Sequence, residues 1–113
     1  MCNKIDNSQK YYKGCISRIS VIRQARKRNK QYTLYGAWIH CLLSINDTYQ
    51  DFVMLIPTAQ CLSMKELRHR ITDMGFTISN NRKSLTTNLS GTPVLATLHK
   101  SMDGFIERLI PMK

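Results

Sequence analysis

The stretch SMKELRHRITDMGFTISNNRKSLTTNLSGTP, Ser63 to Pro93, holds the densest set of side chains able to read a polyanion. Its second half is rich in Asn, Ser, Thr, Lys and Arg and contains no Asp or Glu, which a phosphate backbone would repel. On a helix of roughly Asn80 to Leu89 with Leu85 and Leu89 turned inward, Asn80, Lys83, Ser84 and Thr87 share the opposite face. Asn can bond adenine through two hydrogen bonds, and Lys can reach guanine, so these four are the candidates for base readout. Asn81, Arg82 and Thr86 flank that face, where phosphate contact is expected. The free N–H groups at such a helix's start would favour phosphate as well. Lys65 and Arg68, with His69, face outward on the preceding segment, and Lys100 and Ser101 sit in a later turn. They are further phosphate candidates, with a plainly solvated surface as the alternative.

Charge supports the same chemistry. The 113 residues carry 17 Lys and Arg against 7 Asp and Glu, a net of +10. A small protein this basic is expected to meet a polyanion. The positive charge concentrates in residues 1–30, while residues 31–62 hold no Lys or Arg. RQARKRNK supplies Arg23, Arg26, Lys27, Arg28 and Lys30 as a basic arm that could track phosphates, enter a minor groove or bind structured RNA.

Other chemistries find little footing. Cys2, Cys15, Cys41 and Cys61 form no CxxC pair, and His40, His69 and His99 lack zinc-ligand spacing. Reduced structural thiols are expected, with no metal and no cofactor. No GxSxG, HExxH, P-loop or GxGxxG occurs, so no enzyme is expected. No apolar run spans a bilayer and MCNKIDNSQKYYKG does not resemble a signal peptide, so the expectation is a cytoplasmic protein, on the nucleoid when bound.

The elements that must position these residues follow from periodicity. Tyr12, Cys15, Ile16, Ile19 and Ile22 fit one face of a helix, although Ile19 to Ile22 also suits a strand. TLYGAWIHCLLSI reads as a helix with Leu34, Trp38, Cys41, Leu42 and Ile45 on one stripe and Ile39 and Leu43 on the other side. Gly36 within it implies close packing. Asn46 and Asp47 read as its stop, and DFVMLIP as a short buried strand. Ser63 and Glu66 form an S-x-x-E capping box before the stripe Met64, Leu67, Ile71 and Met74. Gly75 suits the residue after that helix, and Ser79 a second cap. Val94 to Ile110 reads as a hairpin about Asp103-Gly104, with a helix from Met102 to Leu109 as the competing reading.

The order helix, strand, helix, turn, helix, hairpin from Thr33 onward resembles the winged-helix domain, a helix-turn-helix with a β-hairpin wing. The matching stretches are TLYGAWIHCLLSI, FVMLI, SMKELRHRITDMG, SNNRKSLTTNLSG and VLATLHKSMDGFIERLI. The expected fold is therefore mostly α with a small β-hairpin. Residues 1–32 form a basic N-terminal arm or helix that could dimerise, and 33–113 the DNA-binding domain. The resemblance implies a sequence-specific transcriptional regulator of prokaryotic or mobile-element type. It would bind double-stranded DNA as a homodimer, with helix 80–89 in the major groove and a wing at 94–110. The alternatives are an architectural or DNA-processing accessory protein, an RNA-binding protein using the arm, and an inhibitor of an acidic protein.

Overall fold

Side chains of the two long N-terminal segments alternate between faces with a period of two, which makes them strands. In GAWIHCLLS, Ala37, Ile39, Cys41 and Leu43 are buried while Trp38, His40, Leu42 and Ser44 turn the other way. The computed structural model describes residues 10–25, 33–79 and 83–112. These form β1 (Tyr12–Ala25), β2 (Thr33–Ile45), β3 (Thr48–Cys61), α1 (Met64–Asp73), α2 (Leu85–Leu89), β4 (Pro93–Leu98) and β5 (Ile106–Pro111).

The five strands make one antiparallel sheet in the order β3-β2-β1-β4-β5. β1 is central: it pairs with β2 from Gly14↔Leu43 to Ala25↔Thr33, and with β4 from Tyr12↔Ala96 to Cys15↔Pro93. Beyond Cys15 the β1 edge is taken over by the α2 region. Ile16 N–H donates to the Thr92 carbonyl and Gly91 N–H to the Ile16 carbonyl. The Thr86 hydroxyl then accepts from Ile19 N–H at 2.8 Å and donates to the Ile19 carbonyl at 2.9 Å. The sheet also curls: Val53 N–H donates to the Gly104 carbonyl and Val53 makes a lone parallel bridge with Phe105, bringing β3 to the start of β5.

The inner face of this curled sheet is the core. Ile16, Ile39, Leu43 and Val94 are buried against Leu67 and Ile71 of α1, Leu85 and Leu89 of α2, and Phe76. The Ser63 half of the capping box holds, with Ser63 Oγ accepting from Glu66 N–H, while the Glu66 carboxylate reaches one residue past the cap and accepts from the N–H of Leu62. Gly75 takes φ +104, which is why glycine stands there. A Cβ on Gly36 would overlap the Ile56 carbonyl oxygen, so the close packing expected at this residue is present. Asn46 and Asp47 both have positive φ, 52° and 66°, and join β2 to β3 as a two-residue type I′ turn.

The mostly α, winged helix-turn-helix expectation is thereby corrected. Residues 12–22 and 33–45, read as helices, are the two central strands. Among the described residues of the expected recognition helix 80–89, only the five residues Leu85–Leu89 are helical, about 8 Å of helix at 1.5 Å per residue, and Ser84 rather than Ser79 caps it. The hairpin at 94–110 does form, not a helix over 102–109, with Gly104 at φ +84 in its loop. It is not a free wing, because β4 is paired to β1 inside the sheet. The boundary between residues 32 and 33 falls between two strands of that same sheet.

Candidate functional site

Both described helices pack on the same face of β1-β2-β3. On the opposite, outer face the registers stack side chains in rows: Ser20, Trp38 and Leu55, then Arg18, His40 and Val53, then Cys15, Leu42 and Asp51, with Ser44 beside Tyr49 beyond them. Phe105 joins the first row, its ring edge-on to Trp38 at a centroid distance of 6.1 Å and an interplanar angle of 64°. That geometry is favourable for two aromatic rings. Leu55 is 40% exposed and Trp38 is half-buried. An aromatic and aliphatic patch therefore faces outward where β2, β3 and the β4–β5 loop meet.

Polar groups frame the patch. Arg18 Nη1 donates to Ser20 Oγ at 2.9 Å, and Ser20 Oγ lies 3.2 Å from His40 Nε2. The Ser17 hydroxyl donates to the His40 carbonyl, which fixes the bulge that carries Arg18 onto this face. Partial burial, then the Arg18 charge, hold His40 below its ordinary pKa, with Asp51 acting in the opposite sense. The imidazole is thus biased toward its neutral form. The β4–β5 loop is held by His99, whose Nδ1 accepts from the N–H groups of Ser101 and Met102.

Of the residues expected to read DNA, those described are spread over α1, α2, β1 and the β4–β5 loop. Ser84 caps α2: its hydroxyl accepts from Thr87 N–H and lies 2.9 Å from Thr87 Oγ1. Thr86 latches onto β1. Lys83 is exposed, and its carbonyl accepts from Arg68 Nη2 and Asn88 Nδ2. Lys65 is exposed and Arg68 half-buried on α1, packed over the inner face of the sheet. Lys100 and Ser101 are exposed in the β4–β5 loop, the same loop that presents Phe105. Arg23 is exposed on β1, opposite Tyr35. Asn80, Asn81 and Arg82 lie outside the described residues, as do Arg26, Lys27, Arg28 and Lys30 of the arm.

The outer-face set of Arg18, Trp38, His40, Leu55 and Phe105 was not singled out from the sequence. The alternation of Trp38, His40, Leu42 and Ser44 with four apolar neighbours is the signal that marks it. Cys15, Cys41 and Cys61 are free thiols, and burial with the neighbouring Cys15 pushes Cys41 up to about 12, so it is no nucleophile. Among the described residues no group of three His, Cys, Asp or Glu is placed to hold a metal ion, and no helix is long and apolar enough to cross a membrane.

No family model matches the chain. No curated protein matches it, and neither does a solved structure.

Proposed function

We propose that this protein binds single-stranded nucleic acid on the outer face of β1-β2-β3. The observation that carries the reading is the half-exposed Trp38 and Phe105 pair bordered by Arg18 and His40 on the sheet face opposite the described helices. Unpaired bases offer flat apolar surfaces that stack on such rings, and their phosphates seek nearby cations. A duplex hides its base faces, so this arrangement suits a single strand. The net charge of +10 supplies the attraction. The seven residues between Ala25 and Thr33, which pair with each other, include Arg26, Lys27, Arg28 and Lys30. Arg23 of the basic arm is on β1, and its other four cations follow β1 and precede β2 in the sequence.

Topology favours the same reading. The strand order β3-β2-β1-β4-β5, helices between β3 and β4, and β3 meeting β5 in parallel are features of the five-stranded barrels that take oligonucleotides. Those barrels bind on the β2–β3 face and the β1–β2 and β4–β5 loops. This likeness of connectivity is analogy, and the side chains carry the argument. The role is then that of a DNA-processing accessory or RNA-binding protein. A duplex-reading regulator loses its recognition helix, and a homodimer formed to cover a two-faced helix loses that helix.

The test uses the chain's single tryptophan, Trp38. Titration with a dT 12-mer is expected to quench its fluorescence, with affinity falling steeply between low and high salt and a duplex of the same length competing weakly. Unchanged Trp38 emission at low salt, with no binding by anisotropy of labelled oligomer, overturns the proposal.

A further inference from the structure

The outer face extends well beyond Trp38. At its far end, away from the β1–β2 and β4–β5 connections, lies a groove of about 440 Å³ lined by Lys13, Gly14, Cys15, Leu42, Tyr49 and Met112. Tyr49 is 69% exposed, the most exposed large apolar side chain among the described residues. It pairs with Ser44, and Ser44 lies on the same face of β2 as Trp38. Six residues of strand separate Trp38 from Ser44, about 20 Å at roughly 3.4 Å per residue. The groove lining holds one cation and no carboxylate.

Charge on this face is sorted by strand. Its cations, Lys13 and Arg18, are both on β1, whereas its carboxylate, Asp51, is on β3. The surfaces able to stack, Trp38 and Tyr49, are on β2 and β3, with Leu42 between them. A strand lying across the sheet would take its phosphates past Asp51. A strand lying along it would keep phosphates over β1 and bases over β2 and β3.

Resting on the reading above, we infer that the bound strand runs lengthwise along β1 and β2, from a first stacking station at Trp38 to a second at Tyr49. Lys13 holds phosphate at the second station and Arg18 at the first. At about 3.4 Å per stacked nucleotide, about six steps separate the stations, so occupying both needs about seven nucleotides. A trimer reaches one station only.

The experiment compares a labelled dT trimer and 12-mer by anisotropy, with Trp38 emission followed in parallel, for the wild type, Tyr49→Ala and Tyr49→Phe. Tyr49 is exposed, so neither change disturbs the core. The expected result is that Tyr49→Ala weakens the 12-mer on the order of tenfold and leaves the quenching of Trp38 by the trimer unchanged, while Tyr49→Phe binds both as the wild type does. Lys13→Ala is expected to lower the salt slope of the 12-mer by about one. Equal 12-mer affinity for wild type and Tyr49→Ala, with Trp38 still quenched, overturns the lengthwise path and leaves the first station standing. Absence of both quenching and binding in the wild type removes the binding face and this inference together.

Discussion

Replacing Thr86 with Val isolates one hydroxyl that ties α2 to the central strand. The two side chains have nearly the same shape, so the cavity is unchanged and only the hydrogen bonds go. In the wild type that hydroxyl both accepts from Ile19 N–H and donates to the Ile19 carbonyl, at 2.8 and 2.9 Å. Valine leaves two partly buried backbone groups without these bonds. A stranded buried polar group costs about 1–3 kcal/mol, and partial burial places the pair near the lower end, about 2–4 kcal/mol together. Against a typical total stability of about 5–15 kcal/mol this is a large fraction. For a chain of this size it lowers the melting temperature by roughly 10 °C. Circular dichroism melting of wild type, Thr86→Val and Thr86→Ser measures it directly, with Ser expected within about 1 kcal/mol of wild type because the hydroxyl survives. Thr86→Val melting within about 2 °C of the wild type would refute the latch. Unchanged melting joined to weakened oligonucleotide binding would instead make Thr86 a phosphate contact.

Two further outcomes are expected. His40 faces Arg18 and Ser20 from β1 and Asp51 from β3, and its pKa lies below the ordinary 6.5. The unfolded chain therefore takes up the proton first, so stability falls as pH drops below about 6.5 and levels once the folded His40 is protonated. Oligonucleotide affinity moves the other way, because the imidazolium adds a cation to the face. His40→Gln is expected to flatten both pH profiles, and a wild-type affinity independent of pH would contradict the placement of His40 beside the bound strand. Asp47→Gly gives the type I′ turn the residue that best tolerates its positive φ of 66°. A gain of about 0.5 kcal/mol in urea unfolding is expected, and a loss would mean that the aspartate side chain supports the turn.

Bulges explain why the helical reading of the sequence failed. In β1 the pairing moves from Ile16↔Cys41 to Arg18↔His40, so Ser17 is an extra residue and Ile16 and Ile19 both point inward. Inward residues three apart imitate a helix stripe. β5 repeats this: Glu107 is extra between Leu98↔Ile106 and Thr97↔Arg108, and Ile106 and Leu109 are both buried. In β2, Leu34 and Ala37 straddle the irregularity at Gly36. Signals that need no long-range pairing are legible: the Ser63 cap, the glycine after α1, the Asp103-Gly104 turn and a strand at 51–57, although that strand is not short and buried but runs from Thr48 to Cys61 through Pro57 and exposes Leu55. Asn46 and Asp47 read as a helix stop in the sequence, but a two-residue loop with both φ positive is a hairpin turn. The outer face stayed hidden because Trp38, Arg18 and Phe105 come from three distant segments and meet only through the register.

The central place of β1 also shapes how the chain reaches this fold. β1, β2 and β3 are neighbours in sequence and can zip together through near contacts, beginning at the tight turn at Asn46-Asp47. β1 then waits for β4, whose pairing Tyr12↔Ala96 closes a loop of more than eighty residues. Non-local pairings of this kind slow folding, because chain entropy is lost before contacts compensate. Closing β4 onto β1 therefore carries the largest loop-closure cost of any strand pairing in the sheet.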